Sequence, residues 1–196
     1  VLYAAKTVEG AAKTVTVTGK SPAELKDQVP AAEEGIEKGT LITPDAFNVD
    51  GYSYELTIEG ATDNGDGTFN MGTTPVTVTY TWRADDHVKY TVNTWFAKVG
   101  SAEYEEGEPL TLYGTTGDTI VLSDDVKNAY KGFTFSRLDP ADKVITGDGL
   151  AEVNAYFNRK MIDVVVKDGE GETIIDTDVQ FGDTIDQPTT TPDPVN

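Results

Sequence analysis

The stretch Val76-Thr77-Val78-Thr79-Tyr80-Thr81-Trp82-Arg83 alternates apolar and polar residues without a break. Successive side chains of a β-strand point to opposite faces, so this period of two predicts a strand with one buried and one solvated face. The same alternation appears in Thr14-Val15-Thr16-Val17-Thr18. If these strands share a sheet, its outer face is almost entirely threonine, which is typical of a solvated scaffold. The chain is predicted to consist mainly of half-buried strands.

These strands belong to a series of motifs that occurs twice. The first series is Gly39-Thr40-Leu41-Ile42, Val49-Asp50-Gly51-Tyr52-Ser53-Tyr54, Asn64-Gly65-Asp66-Gly67 and the strand 76–83. The second is Gly117-Asp118-Thr119-Ile120, Tyr130-Lys131-Gly132-Phe133-Thr134-Phe135, Thr146-Gly147-Asp148-Gly149 and Val153-Asn154-Ala155-Tyr156-Phe157-Asn158-Arg159. A repeated order of motifs indicates a repeated folding unit. We interpret the chain as two homologous modules, residues 1–86 and 87–160, joined at a polar junction, residues 84–87.

Each module is predicted to be a small mixed sheet with one short helix. In the first module Ser21-Pro22-Ala23-Glu24 is a capping box that starts a helix ending near Val29, and in the second Ser123-Asp124-Asp125 offers a weaker helical turn. This mainly β (α+β) composition favours a β-grasp or ubiquitin-like arrangement, in which the first and last strands lie side by side and parallel in the sheet centre.

Residues 161–196 form the third segment. Alternating residues on both sides of Lys167-Asp168-Gly169-Glu170-Gly171 predict a hairpin, and a Pro/Thr-rich stretch follows, which favours extended chain. We interpret this segment as the opening hairpin of a truncated third module and a linker.

Composition excludes several function classes. The 196 residues include 34 acidic and 15 basic ones, a net charge of −19, so nucleic acid and anionic membrane surfaces are expected to repel the chain. No apolar run approaches the roughly 20 residues that span a bilayer, so no membrane insertion is expected. With no cysteine and one histidine, His87, thiolate chemistry, zinc clusters and histidine triads are unavailable. We expect no enzyme activity and no cofactor, and His87 is expected to be a solvated linker residue.

The second module resembles the repeats of bacterial cell-surface adhesins of the mucin-binding type, the MucBP and Mub-like repeats and the B-repeats of internalin-like proteins. The residues that carry the resemblance are Tyr90-Thr91-Val92-Asn93, Gly114-Thr115-Thr116-Gly117-Asp118, Tyr130-Lys131-Gly132-Phe133-Thr134-Phe135, Ile145-Thr146-Gly147-Asp148-Gly149 and the motif ending at Arg159. The resemblance implies tandem modules on a Gram-positive cell wall, each monomeric within a longer repeat chain, with host mucin glycans or glycoproteins as partners. It implies no particular binding residue.

Alternation also predicts a binding surface on the second module. Tyr90, Val92 and Phe96 are expected to point inward from its first strand, and Val153, Ala155 and Phe157 from its last. The outward side chains are then Asn93, Trp95, Glu152, Asn154 and Tyr156. Aromatic rings beside amides and a carboxylate suit a sugar, which needs an apolar platform and hydroxyl partners. The alternative is a cross-strand aromatic pair that only stabilises the sheet.

Two further sites are weaker candidates. Asp63, Asn64 and Asp66 supply the oxygen ligands that calcium prefers, but without the spacing of an EF-hand loop, and aspartate with glycine is equally typical of a hairpin turn. Lys89 and Asn158 are a candidate pair for an isopeptide bond, although parallel neighbouring strands would place them at opposite ends of the sheet.

Three functions remain open at this stage. The first is a non-enzymatic repeat region of a secreted adhesin that attaches by weak multivalent contacts. The second is a stalk or spacer without its own ligand, and the third is an accessory region of a secreted carbohydrate-active enzyme.

Overall fold

A computed structural model describes the backbone of residues 11–19 and both backbone and side chains of residues 31–186. Its strands are β1 (Ala11–Gly19), β2 (Glu33–Ile36), β3 (Leu41–Ile42), β4 (Tyr52–Glu59), β5 (Phe69–Asn70), β6 (Val76–Ala84), β7 (Val88–Ala97), β8 (Tyr104–Glu106), β9 (Leu110–Gly114), β10 (Phe133–Asp139), β11 (Glu152–Arg159), β12 (Met161–Lys167) and β13 (Thr173–Gln180). The described residues form one short helix, α1 (Asp124–Lys127). The protein is mainly β, as predicted; the predicted helix at 21–29 lies outside the described residues.

Two larger sheets have the same topology. The first has the order β2-β1-β6-β4, and the second has the order β10-β11-β7-β8, with β9 also paired to β7. In each sheet the first strand lies parallel to the last one, β1 beside β6 and β7 beside β11. In each sheet the last strand also pairs antiparallel with an earlier strand on its other side, β6 with β4 and β11 with β10. The central parallel pair is what the sequence predicted for each module.

Two smaller sheets complete the strand pairing. Strands β3 and β5 form a short antiparallel pair. Strands β12 and β13 form the hairpin predicted for the last segment, with Ile162 opposite Val179 and Val166 opposite Ile175. Whether this hairpin opens a third module stays a prediction.

The chain divides into two compact units. Unit 1 contains Val1–Val88, Tyr113–Asp118 and Ile145–Gly149, and unit 2 contains Lys89–Leu112, Thr119–Val144 and Leu150–Asn196. The predicted module junction, residues 84–87, lies at the end of the first segment of unit 1. None of the described helices is long and apolar enough to cross a membrane.

The core of unit 1 lies on the apolar face of β6. Alternation buries Val76, Val78, Tyr80 and Trp82, and Phe69 and Met71 join them. The Tyr80 hydroxyl donates a hydrogen bond to the carbonyl oxygen of Asp45 at 2.8 Å, which satisfies a polar atom that the core would otherwise penalise.

The core of unit 2 lies on the corresponding face of β7 and β11. Tyr90, Val92, Val153, Ala155 and Phe157 are buried, together with Ile120 and Leu122. Thr94 is buried on the same face, and its hydroxyl donates a hydrogen bond to the carbonyl oxygen of Glu108 at 2.9 Å. The predicted turn at 123–128 is α1, whose N-cap Ser123 accepts a hydrogen bond from the backbone N–H of Val126.

Candidate functional site

The predicted surface lies on the two central strands of the second sheet. Tyr156 is the register partner of Trp95, and Asn154 is the register partner of Asn93. Because Tyr90, Val92 and Thr94 are buried, the alternate side chains of β7 point to the opposite, partly exposed face. On β11 Val153, Ala155 and Phe157 are buried and the residues between them are not, so the predicted division of inward and outward residues is confirmed on both strands.

A hydrogen bond holds Trp95 in place on this face. Its indole Nε1 donates to Oδ1 of Asn154 at 3.0 Å, across the parallel strand pair. The rings of Trp95 and Tyr156 are nearly parallel, with an interplanar angle of 20° and centroids 6.3 Å apart. The indole is thereby oriented before any ligand arrives, which lowers the entropy cost of using it as a platform.

Two residues that the sequence analysis missed complete the surface. The guanidinium carbon of Arg137 lies 3.9 Å from the centroid of the Tyr156 ring, a cation–π contact. Tyr104 meets Tyr156 edge to face at 4.9 Å, and its hydroxyl donates a hydrogen bond to Oδ1 of Asn158 at 2.8 Å. We call Trp95, Tyr156, Arg137, Tyr104 and Asn154 the aromatic surface.

A local irregularity in β10 explains why Arg137 was missed. Strict alternation from Phe133 and Phe135 would direct Arg137 inward, but the β10–β11 register shifts between Phe135 and Arg137. This bulge reverses the parity of the strand, so Arg137 reaches the outer face and Leu138 the inner one. No turn residue marks the bulge in the sequence.

Tyr104 was missed because of its charged surroundings. The acidic composition of Glu103-Tyr104-Glu105-Glu106-Gly107-Glu108 is typical of a solvated loop, and that interpretation is wrong for the centre of the run. Tyr104–Glu106 forms β8, which pairs antiparallel with β7 and places Glu106 opposite Trp95. Edge strands commonly carry charged side chains, so acidic composition did not discriminate between strand and loop.

The predicted residues do not all converge. Asn93 and Asn154 are each two residues before Trp95 and Tyr156 on the same face of their strands. Glu152 lies farther away, because it pairs with Thr91 at the beginning of β11. Four residues of strand separate Glu152 from Tyr156, a distance of about 13 Å at 3.3 Å per residue. One sugar ring on Trp95 would therefore reach the amides but not the Glu152 carboxylate.

The first sheet supplies an internal contrast. On β6 the residues between the buried ones are Thr77, Thr79 and Thr81, and none of them is buried. Thr57 is the β4 partner of Thr79. The described part of this outer face carries no aromatic platform, as predicted.

The loop proposed for calcium is a closely hydrogen-bonded turn. Oδ1 of Asp63 accepts hydrogen bonds from the backbone N–H groups of Gly65 and Gly67, at 2.7 and 3.2 Å. Asp66 accepts from the N–H and the hydroxyl of Thr68, and these hydrogen bonds lower the pKa of the Asp66 carboxyl. Across residues 31–186, no three histidine or acidic side chains converge to hold a metal ion. The loop geometry is that of an Asx-type turn.

His87 lies in a polar cleft of unit 1. The cleft has a volume of about 440 Å³ and includes Ser53, Arg83, Asp85 and Asp86 among its lining residues. The imidazole stacks on the ring of Tyr113, with centroids 4.3 Å apart and an interplanar angle of 3°. His87 is exposed, as expected of a solvated residue, and the stack on Tyr113 is a contact that the sequence did not predict. Asp85 accepts a hydrogen bond from the Ser53 hydroxyl, which in turn accepts one from Arg83 Nε.

The isopeptide candidates are separated as expected. Phe157 is the register partner of Phe96, so Asn158 lies at the end of β7 opposite to Lys89. Both residues are exposed.

The fold and surface define a mainly β protein with two sheets of one topology, one of which carries an aromatic outer face. No protein-family model matches the chain, and no curated protein matches it. Among solved structures, the chain is similar to the Streptococcal High Identity Repeats in Tandem (SHIRT) domains 3-4 from a cell surface protein. The identity is 16%, and the match covers 76% of this chain and 98% of that one. The TM-score of 0.28 is too low for this likeness to carry an argument.

Proposed function

We propose that this chain is a non-enzymatic repeat region of a secreted Gram-positive surface adhesin that attaches to host mucin or another glycoprotein by weak multivalent contacts. The observation that carries the proposal is the hydrogen-bonded orientation of Trp95 by Asn154 beside Tyr156, on the outer face of a sheet. Cell-wall location and the mucin class rest on the sequence resemblance described above. The net charge of −19 favours an uncharged sugar face over an anionic ligand.

The aromatic surface favours weak binding. Trp95 is only partly exposed, and Arg137 already covers one face of Tyr156, so a single indole ring is the platform. A shallow contact of this kind gives little affinity in one copy. Several linked copies would raise the effective concentration at a mucin surface, and avidity would exceed the single-site affinity by about 10²–10⁴ if the geometry allows simultaneous contact.

A spacer without its own ligand is the second candidate. The observation that favours it is the set of contacts around Tyr156. Its ring already contacts Arg137, Tyr104 and Trp95 within the same sheet. Such cross-strand contacts contribute roughly 0.2–1 kcal/mol each to sheet stability without any ligand. In this case acidity serves only to keep the chains soluble and mutually repelling.

The test compares clustered protein on mucin-coated surfaces. The full chain is displayed as a tetramer, and Trp95→Ala is compared with Thr79→Ala, a matched strand substitution on the threonine face of the other sheet. We expect Trp95→Ala to lower binding at least about tenfold, as the loss of one stacking platform implies, and Thr79→Ala to leave it unchanged. Circular dichroism and thermal melting establish that both variants fold.

Two results would contradict the proposal. Undiminished binding by folded Trp95→Ala would remove the aromatic surface from attachment. Absence of binding to mucin and to a glycan array by the tetrameric wild type would leave the spacer as the function.

A further inference from the structure

The hairpin β12–β13 carries an incompletely covered apolar face. The side chains that share this face are Ile162, Val164 and Val166 of β12 with Ile175 and Val179 of β13. Ile162 is still 40% exposed, and an isolated two-stranded hairpin with one apolar face is only marginally stable in water. Such a hairpin is usually stabilised by a third strand or by a helix that packs against its apolar face.

The two larger sheets show which kind of strand would pair with the free edge of β12. Each has an opening strand, β1 or β7, with an antiparallel neighbour on one side and a parallel closing strand on the other. Strand β12 has the antiparallel neighbour β13, and its other edge has no strand partner among the described residues. This edge of β12 corresponds to the edge of β1 and β7 that pairs with the parallel closing strand.

The opposite face of the hairpin determines the charge of the strand that fits. Asp163 lies directly opposite Asp178, and Asp176 lies opposite Val165. Like charges directly across a strand pair are destabilising. A neighbouring strand with hydroxyl and basic side chains on this face would reduce the repulsion, whereas one with further carboxylates would increase it.

We propose that the free edge of β12 binds a parallel β-strand whose apolar residues alternate with threonine and a basic residue. The described strand with this chemistry is β6, in which Val76, Val78, Tyr80 and Trp82 alternate with Thr77, Thr79, Thr81 and Arg83. Backbone hydrogen bonds to the edge would supply most of the affinity, as in β-strand addition, and the two faces would supply the specificity. This proposal depends on sheet topology and stands apart from the adhesin proposal.

The experiment adds synthetic peptides to the full chain and follows amide hydrogen exchange in β12. The probe has the sequence of β6, Val76–Ala84. The control has the sequence of β4, Tyr52–Glu59, which has the same alternation but carries Glu55 and Glu59 among its polar positions. At saturating β6 peptide we expect hydrogen exchange of the backbone N–H groups at the free edge of β12 to slow about tenfold or more. The β4 peptide should have little effect on the same groups.

A spin label on the peptide N-terminus determines the direction of pairing. A parallel strand broadens the NMR signals near Met161, whereas an antiparallel strand broadens those near Lys167. Broadening at Lys167 would overturn the proposal, as would equal protection by both peptides or none by either. Dimerisation of the chain through β12 in place of peptide binding would also overturn it, since a second copy would then be the occupant.

Two protein variants control for unrelated effects. Ile162→Asp places a carboxylate on the apolar face and is expected to weaken β6-peptide binding at least about tenfold. Val121→Asp alters a 71% exposed apolar residue of unit 2 outside the hairpin and is expected to leave binding unchanged. If Ile162→Asp unfolds the hairpin, the spin-label experiment on the wild type still decides the proposal.

Discussion

Nη1 of Arg159 donates a hydrogen bond to the carbonyl oxygen of Phe181 at 2.8 Å, within unit 2. Nε of the same side chain donates to the carbonyl oxygen of Ala97 at 2.7 Å. The Arg159 side chain is only 13% exposed, and Glu105 lies 3.6 Å from Nη2. One guanidinium therefore links the chain after β13 to the end of β7, and its fork of donors suits this double role better than an ammonium would.

Arg159→Ala is expected to loosen the β12–β13 hairpin. The substitution leaves two carbonyl groups without their charged donor, at a cost of about 2–3 kcal/mol in unfolding free energy. Hydrogen exchange should accelerate in β13 and around Phe181 more than in β7. Arg159→Lys is expected to recover only part of the loss. Equal exchange in wild type and Arg159→Ala would show that the hairpin is held by other contacts.

The pair Gly51 and Gly147 is expected to be intolerant of substitution. A Cβ on Gly147 would overlap the Asp50 carbonyl oxygen, and one on Gly51 would overlap Gly147 Cα and the Thr116 hydroxyl. Because backbone atoms cannot move aside cheaply, Gly147→Ala should destabilise unit 1 by about 3 kcal/mol or more.

Gly169 provides the control for this comparison. A Cβ at Gly169, in the hairpin turn, would meet no atom within 4 Å. Gly169→Ala should therefore leave the melting temperature nearly unchanged in calorimetry. A Gly147→Ala protein that melts at the wild-type temperature would contradict the close approach of the two backbone segments.

The sequence predicted the features of the fold and of the aromatic surface that depend on strand periodicity, and few others. The faces of β6, β7 and β11 followed from alternation, because side-chain direction in a regular strand depends only on parity. Arg137 could not be placed, because one bulge reverses parity and no residue type marks it. Gly147 belongs to a motif that the sequence repeats, but its close contact with Asp50 arises from segments distant in sequence, which local patterns do not encode.

Tyr80 is expected to make the protein sensitive to alkaline pH. Burial, and secondarily the Asp45 charge, raises the pKa of the Tyr80 hydroxyl to about 12. A folded-state pKa raised above the unfolded value of 10.0 gives stability that is fully present below pH 10 and is lost as the pH rises toward about 12. Denaturant unfolding between pH 9 and about 12 should show this loss, and Tyr80→Phe should flatten it. An unchanged alkaline slope in Tyr80→Phe would assign the effect to other groups.

The two tryptophans are expected to respond differently to an aqueous quencher. Trp82 is 2% exposed in the core of unit 1, whereas Trp95 is partly exposed on the aromatic surface of unit 2. Acrylamide or iodide should therefore quench mainly the Trp95 emission. Trp95→Phe should remove the accessible component, and Trp82→Phe should leave it. The Trp82 indole N–H has no hydrogen-bond partner among the described residues, so Trp82→Phe removes no hydrogen bond that those residues make. Quenching that persists in Trp95→Phe would show that the Trp82 core opens to solvent and would contradict the packing described for β6.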